Sequence, residues 1–132
     1  MFGDKKKPAS GAIETLIGKD TVVQGNVTFK GGLRIDGTIR GNVTAQEGAA
    51  AVLVISENAL IEGEIHVSHL VVNGTINGPV ESDGLVELQP KARITGNVRY
   101  RALEMHHGAT VDGNLSHLEE NRPGLKLAAN NE

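Results

Sequence analysis

The chain has 132 residues, no cysteine, 2% aromatic residues and a formal net charge of −3 at pH 7. This length fits one small domain with an aliphatic core, and the lack of cysteine excludes disulfides and thiolate metal sites. Interspersed charges and few aromatic side chains argue against nucleic-acid binding. No apolar run approaches the roughly 18 residues of a membrane span, and the N-terminus lacks a signal-peptide core, so we expect a cytoplasmic protein.

Residues 1–14 are predicted to form a disordered tail that contains a membrane-targeting segment. Each lysine near an anionic membrane surface contributes about 1 kcal/mol, and an inserted phenylalanine adds a small further term. Because one tail binds weakly, attachment would depend on several tails acting together. The alternative is a disordered start that only keeps the protein soluble. The residues of the targeting segment are Met1, Phe2, Lys5, Lys6 and Lys7.

A six-residue spacing begins in the stretch IGKDTVVQGNVTF, where Ile17, Val23 and Phe29 stand six apart. A helix repeats near 3.6 residues and a strand at 2, so this spacing indicates short strands separated by regular corners.

Two longer signatures extend this pattern along the chain. One is LRIDGTIRGNV at residues 33–43, which matches LVVNGTINGPV at residues 70–80. In the other, an aliphatic residue is followed four positions later by an Ala or Thr and, further along the chain, by a Gly. Together they make six units of about 17 residues between residues 15 and 118. The four copies of the other signature start at Ile17, Ile55, Leu88 and Met105.

Each unit fits one rung of a β-solenoid with three faces, in which apolar residues point inward and Gly or Asn takes the corners. The sequence therefore predicts an all-β, single-domain parallel β-helix of about six rungs over residues 15–118. Stacking would place Ile94 on Val111 in an aliphatic column. It would also let Asn97 and Asn114 form a hydrogen-bonded ladder.

The segment AQEGAAAVLVI, residues 45–55, breaks this rhythm. Val43 and Ile55 are 12 positions apart, whereas the corresponding Val80 and Leu88 are 8 positions apart. We interpret the difference as a four-residue insertion in a corner. A short helix around residues 49–51 is the alternative.

The two ends of such a stack would expose strand edges and aliphatic core. Natural monomeric solenoids cover these ends with a capping helix or a polar repeat. Here the flanks are MFGDKKKPASGA and EENRPGLKLAANNE, and both predict disorder, including a C-terminal tail at residues 119–132. Another copy of the chain is the simplest cover, so we expect end-to-end polymerisation. Contacts between like ends would give non-polar filaments and head-to-tail contacts polar ones, and the sequence leaves both open.

The stretch ETLIGKDTVVQGNVTFKGGLRIDGTIRGNV and the four rungs after it resemble the bactofilin family of bacterial cytoskeletal proteins, over about residues 13–118. The resemblance implies a right-handed, three-faced β-helix that forms non-polar filaments without nucleotide or other cofactor. It also implies a scaffold in cell shape or envelope organisation. In the family the Met-Phe start with basic residues targets the inner face of the cytoplasmic membrane.

In that family a hydrophobic residue of the last rung is needed for polymerisation. The matching segment is GATVDGNL at residues 108–115, which makes Val111 the candidate. The family often has Phe in this segment, and valine still fits an aliphatic junction. The further candidates for the polymerisation interface, in the last and first rungs, are Leu103, Met105, Leu115, Leu16, Ile17 and Val23.

An enzyme is the main alternative, because IGKDTV and VQGNVT also resemble the hexapeptide repeat of left-handed β-helix acyltransferases and related trimeric zinc carbonic anhydrases. Those enzymes need a histidine base or a three-histidine zinc site at a subunit boundary. Here His66 and His69 would point to opposite faces of a strand, and His106 and His107 would lie at a corner. With His117 they form no evident ligand set, so we predict no catalytic, cofactor-binding or metal residues and no enzymatic activity.

A third class is a passive interaction module that recruits proteins of cell-wall synthesis or remodelling through its regular faces. The C-terminal tail is either a recruitment segment or simply disordered. GGLRIDG lies within strands and precedes no helix, so it is not a phosphate-binding loop. We interpret several acidic residues as outward-facing solubility charges: Glu62, Glu64, Asp83 and Asp112.

Overall fold

The computed structural model describes residues 13–47 and 50–118, and in these residues the chain forms short strands, turns and no helix. Successive strands group in threes, and each group of three makes one turn of a solenoid, which we call a rung. The strands are β1 Thr15–Ile17, β2 Val22–Gln24, β3 Val27–Phe29, β4 Gly32–Ile35, β5 Thr38–Arg40, β6 Val43–Ala45, β7 Val52–Ile55, β8 Leu60–Glu62, β9 Ile65–Val67, β10 His69–Val72, β11 Thr75–Asn77, β12 Val80–Ser82, β13 Leu85–Leu88, β14 Arg93–Thr95, β15 Val98–Tyr100, β16 Ala102–Met105, β17 Thr110–Asp112 and β18 Leu115–His117.

The rungs stack into three parallel sheets of six strands each. Sheet A has the order β1-β4-β7-β10-β13-β16, sheet B β2-β5-β8-β11-β14-β17, and sheet C β3-β6-β9-β12-β15-β18. Every strand therefore pairs with the strand at the same position in the neighbouring rung. The predicted all-β parallel β-helix with six rungs and three faces is confirmed, and its right-handed winding stays a prediction.

Aliphatic columns run through the interior because equivalent residues of successive rungs lie in register. In sheet B the middle residue of each strand points inward, and Ile39, Ile61 and Ile76 are 0% exposed. Ile94 continues this column and pairs with Val111, as predicted. Fully burying one such side chain contributes about 1.5 to 3 kcal/mol. The core thus consists mainly of repeated isoleucine, leucine and valine, since the chain has few aromatic residues.

The two signatures correspond to two lengths of the corner between sheets A and B. The corner has two residues in the second and fourth rungs, at residues 36–37 and 73–74. It has four in the other rungs, where a turn closes by a backbone hydrogen bond, for example from Ala59 N to Ser56 O at 3.0 Å. The Ala or Thr of the signature that starts at Ile17, Ile55, Leu88 and Met105 supplies this N–H, and Ala59 and Ala92 are buried. The longer corners are at residues 18–21, 56–59, 89–92 and 106–109.

A column of glycines occupies the corner between sheets B and C. A Cβ atom on Gly78 would lie 2.1 Å from the carbonyl oxygen of Gly63, far inside van der Waals contact. Each rung thus packs its backbone directly on the corner of the rung before it, and a side chain has no room there. The column consists of Gly25, Gly41, Gly63, Gly78, Gly96 and Gly113.

An asparagine ladder runs beside the glycine column. The Asn97 Oδ1 atom accepts a hydrogen bond from the Asn114 backbone N–H at 3.0 Å, and Asn26 Oδ1 accepts one from Asn42 N–H at 2.8 Å. The predicted ladder is confirmed, with side-chain oxygens bonding to backbone N–H groups. Pro79 lies at this position in the fourth rung and interrupts the ladder because it has no N–H.

The connection from β6 to β7 spans six residues, 46–51, where the first rung uses two, 30–31. Strand β7 still pairs with β4 and β10, and Ala51 is buried, so the stack continues past the extra residues. This agrees with the predicted four-residue insertion. Residues 50–51 are not helical, and residue 49 lies outside the described residues.

The predicted tails fall almost entirely outside the described residues. Within the tails only Ile13 and Glu14 are described, and the Glu14 N–H already donates to Gly32 O at 2.9 Å. Among the described residues there is no helix that is long and apolar enough to span a bilayer.

Candidate assembly surfaces at the two ends

Both ends of the solenoid are uncovered in the part of the chain that the structure describes. Strands β1, β2 and β3 form one outer edge of the three sheets, and β16, β17 and β18 form the other. Edge strands present a row of N–H and C=O groups that can pair with another chain. We call these two surfaces the first-rung end and the last-rung end.

The last-rung end exposes the interior columns. Met105 is 44% exposed, whereas Leu88, its partner one rung earlier, is 0% exposed. Leu115 is 43% exposed and pairs with Val98, which is also 0% exposed. The side chains point into the core, and what they lack is a next rung. Leu103 and Val111 also point inward in the last rung and are half-buried. The structure therefore brings together all four residues predicted for this end.

The column formed by the third residue of each strand in sheet C ends in a polar residue at the last rung. Tyr100 belongs to the same column as Val67 and Ser82, and His117 pairs with Tyr100 in the last rung. The two rings meet edge to face with centroids 5.8 Å apart. One corner of the last-rung end is therefore an imidazole, which the sequence analysis had not assigned to this surface.

The first-rung end includes residues that the sequence analysis missed. Ile17 and Val23 lie in interior columns, in register with the buried Ile35 and Ile39. Val27 and Phe29 likewise point inward from β3 and pack against the core, although they were not named as candidates. Their period of two along β3 was the available signal.

Leu16 does not belong to the interior surface of the first-rung end. It pairs with Arg34, an exposed position between the buried Leu33 and Ile35, so its side chain lies on the outer face of sheet A. It is 59% exposed and lies at the rim of the end. The six-residue spacing could not separate Leu16 from Ile17, because two adjacent apolar residues fit either phase of a strand.

His66 and His69 do not lie on one strand, so the prediction that they point to opposite faces of a strand is wrong. His66 is in β9 of sheet C and His69 is in β10 of sheet A, so they lie on different sheets and not on two faces of one strand. The corner at Ser68 separates them. His66 Nε2 lies 2.6 Å from Glu64 Oε2. His106 and His107 lie in the corner at residues 106–109, as predicted.

The charged outer faces carry ion pairs between neighbouring rungs. Arg40 Nε lies 3.3 Å from Glu62 Oε1, and Arg99 Nη1 lies 3.3 Å from Glu81 Oε1. These pairs are largely exposed, so each contributes little to stability. Glu62, Asp83 and Asp112 are exposed and Glu64 is half-exposed, in agreement with their interpretation as outward-facing charges.

One group of titratable side chains was not anticipated. Glu87, Glu104 and His106 converge on the outer face of sheet A, with one ligand atom from each lying within 4.8 Å of the others. The three residues belong to two rungs, so only the strand register brings them together.

Comparison with known proteins gives matches that extend over almost the whole solenoid. The family model described as "Bactofilin: Polymer-forming cytoskeletal" matches residues 15–116. Bactofilin BacO of Myxococcus xanthus (strain DK1622) is 25% identical over 101 residues, which cover 76% of this chain and 77% of the relative.

Bactofilin BacP of the same organism is 22% identical over 116 residues, which cover 87% of this chain. They cover 47% of BacP, so the match spans about half of that relative's length. No solved structure matches the chain. Since the family model covers every strand from β1 almost to the end of β18, the chain belongs to the bactofilin family.

Proposed function

We propose that the protein assembles end to end, without nucleotide, into non-polar filaments. In this proposal the filaments form a scaffold at the inner face of the cytoplasmic membrane and act in cell shape or envelope organisation. The observation that carries the proposal is that both ends continue the interior columns of the solenoid without a cap among residues 13–47 and 50–118. Membership of a family described as polymer-forming supports it.

An end-to-end contact would both pair the backbone groups of the edge strands and bury the exposed apolar side chains. Backbone N–H and C=O groups of the edge strands would pair across the junction, in antiparallel fashion because two like ends meet there. Met105 and Leu115, each more than 40% exposed, would also be removed from water. Because each subunit has two such ends, it can contact one further copy at each of them, and the assembly can grow along the solenoid axis.

Membrane attachment rests on Met1, Phe2 and the lysines at positions 5–7, all of which lie outside the described residues. A filament would present many such tails along one line, and the combined binding would exceed that of a single tail. The outer faces of the filament would then be available to proteins of cell-wall synthesis or remodelling. An enzymatic function gains no support from the placement of His66 and His69 on different sheets.

The test is electron microscopy of the purified full chain without nucleotide or metal, with Val111→Glu compared against Thr110→Glu. Both changes add one negative charge to β17. Val111 points into the last-rung end, where a carboxylate stays hydrated in the free subunit but would be buried unpaired in the contact. Thr110 is exposed and pairs with Arg93, so a glutamate there gains a cross-strand partner.

We expect filaments with the wild type and Thr110→Glu, and none with a folded Val111→Glu protein. Filaments that persist in Val111→Glu would show that the last-rung end is not the contact. Discrete trimers in all three samples would overturn the filament proposal and favour the hexapeptide-enzyme alternative.

A further inference from the structure

The outer face of sheet A carries two carboxylates stacked directly on each other at the last two rungs. Glu87 in β13 pairs with Glu104 in β16. Both point outward, because the flanking Val86 and Leu88 are buried in the core. Like charges at directly paired positions of a sheet repel each other, so a cation nearby would stabilise this arrangement.

His106 completes the cluster from the start of the last corner between sheets A and B. Its backbone N–H donates to Leu88 O at 2.8 Å, which continues the register of β13 and β16 by one residue. The ring therefore lies beside the carboxylates, with Nε2 3.3 Å from Glu87 Oε2 and 3.6 Å from Glu104 Oε2. Gln89 borders the same group, since its Nε2 donates to Glu87 Oε2 at 3.4 Å.

The Nε2 atom of His106 is enclosed without a hydrogen bond. The side chain as a whole is 40% exposed, yet Nε2 itself has almost no accessible surface and no hydrogen-bond partner in the described structure. A polar atom in this state costs free energy unless another species satisfies it. Two carboxylate oxygens, Glu87 Oε2 and Glu104 Oε2, lie within 4 Å of this atom.

The distances in the cluster fit a metal ion. Around a tetrahedral Zn²⁺ ion, ligand atoms about 2.0 to 2.2 Å from the metal lie about 3.4 Å from one another. The two distances from the histidine nitrogen, 3.3 and 3.6 Å, are close to this value. One imidazole and two carboxylates suit zinc and its transition-metal neighbours, whereas magnesium and calcium prefer oxygen ligands throughout.

We propose that Glu87, Glu104 and His106 form a binding site for a divalent transition-metal cation of the zinc class. Three protein ligands leave the fourth position to water or to a group from another molecule. Because Glu87 belongs to the fifth rung and the other two ligands to the sixth, the ion fastens the last rung to the body of the solenoid. This site is separate from the proposed filament contact, and its test does not depend on filaments.

The test uses the tag-free full chain, stripped with a chelator, dialysed and titrated with Co²⁺ while the visible absorption is recorded. Zn²⁺ is then added as a competitor. We expect one Co²⁺ per chain with the absorption of a four-coordinate site, and displacement by Zn²⁺. His106→Ala and Glu104→Gln should each weaken binding by at least about tenfold.

Two matched variants act as controls. His107→Ala removes the neighbouring exposed imidazole, and His66→Ala removes a histidine that faces a single glutamate. Both should keep the wild-type affinity within about threefold. Zn²⁺ should raise the melting temperature of the wild type and of both controls, and should not raise that of His106→Ala. Circular dichroism establishes that each variant is folded, and Glu87→Gln replaces any variant that is not.

Three results would overturn the proposal. One is a wild-type chain that binds neither Co²⁺ nor Zn²⁺ at millimolar concentration. The second is equal loss of binding in His106→Ala and the two controls. The third is a His106→Ala protein that is destabilised in metal-free buffer while the wild type gains nothing from Zn²⁺, because the cluster would then be an ion pair between an imidazolium and two carboxylates.

Discussion

Val111 lies in register with Ile94 on adjacent strands of sheet B, yet Ile94 is 1% exposed and Val111 is only half-buried. The same interior column therefore changes from core to surface within one rung. At the opposite end Val23 stands in the same relation to Ile39, which is 0% exposed. A substitution at Val111 therefore changes only the last-rung end, and a substitution at Val23 changes only the first-rung end.

Blocking one end at a time distinguishes non-polar from polar assembly. If like ends meet, Val111→Glu leaves the first-rung contact intact and Val23→Glu leaves the last-rung contact intact. Each variant should then form dimers, and the double variant should be monomeric. The measurement is size-exclusion chromatography with light scattering.

A head-to-tail contact gives the opposite result, because each junction needs one end of each kind. Both single variants would be monomers, and mixing them would produce a mixed dimer from the two intact ends. Under the non-polar proposal, mixing leaves the two kinds of dimer separate.

Truncating the buried column should destabilise the fold strongly. Ile76 is 0% exposed at the middle of sheet B, so we expect Ile76→Ala to lower the free energy of unfolding by about 2 to 5 kcal/mol. Asn77→Ala, at the next and exposed position of β11, should change it by less than about 0.5 kcal/mol. Urea unfolding of the Val23→Glu/Val111→Glu monomer measures both values without a contribution from assembly. Equal effects would show that this column does not carry the stability.

The glycine column predicts a difference between two chemically identical substitutions. Gly78 and Gly25 have positive φ angles of 152° and 135°, so alanine meets backbone strain at both. A Cβ at Gly78 would also lie 2.1 Å from Gly63 O, whereas nothing lies within 4 Å of one at Gly25. In the double-variant monomer, Gly78→Ala should cost at least about 3 kcal/mol more than Gly25→Ala. Similar melting temperatures for the two variants would contradict such close stacking.

Membrane binding should depend on charge at the N-terminus and on assembly. Lys5→Gln/Lys6→Gln should reduce sedimentation with vesicles that contain phosphatidylserine, by about 1 kcal/mol per lysine for each tail. Lys19→Gln/Lys30→Gln removes the same charge from exposed positions of the first rung and should have little effect.

The assembly-blocked double variant should bind the same vesicles more weakly than the wild type, because its tails act singly. Equal binding by filament and monomer would remove avidity from the proposal. Equal loss in the two lysine pairs would remove the specific role of the tail.

Much of the solenoid could be predicted because its period is written in residue types. Aliphatic residues recur at most inward positions, and the two signatures differ in the length of one corner, whose longer form Ala59 and Ala92 close by the same backbone hydrogen bond. Which side chains point outward at the two ends was harder to predict from the sequence. Leu16 and Ile17 are both apolar, and only the pairing of Leu16 with Arg34 shows which one points outward.

The cluster of Glu87, Glu104 and His106 was missed for a different reason. The 17-residue offset that aligns Leu88 with Met105 also places Glu87 on Glu104, so a signal was present in the sequence. A search for histidines near one another along the chain could not find it, because its ligands come from different rungs.

The six-residue connection at residues 46–51 shows where this architecture accepts additional chain. The strands on either side keep their partners, with β6 pairing with β9 and β7 pairing with β10. This corner joins the second rung to the third and so lies outside the two terminal rungs, whereas the glycine corner between stacked rungs has no space even for a methyl group. A fluorescent protein or an affinity tag inserted at this corner would therefore report on the protein in living cells without obstructing growth along the axis.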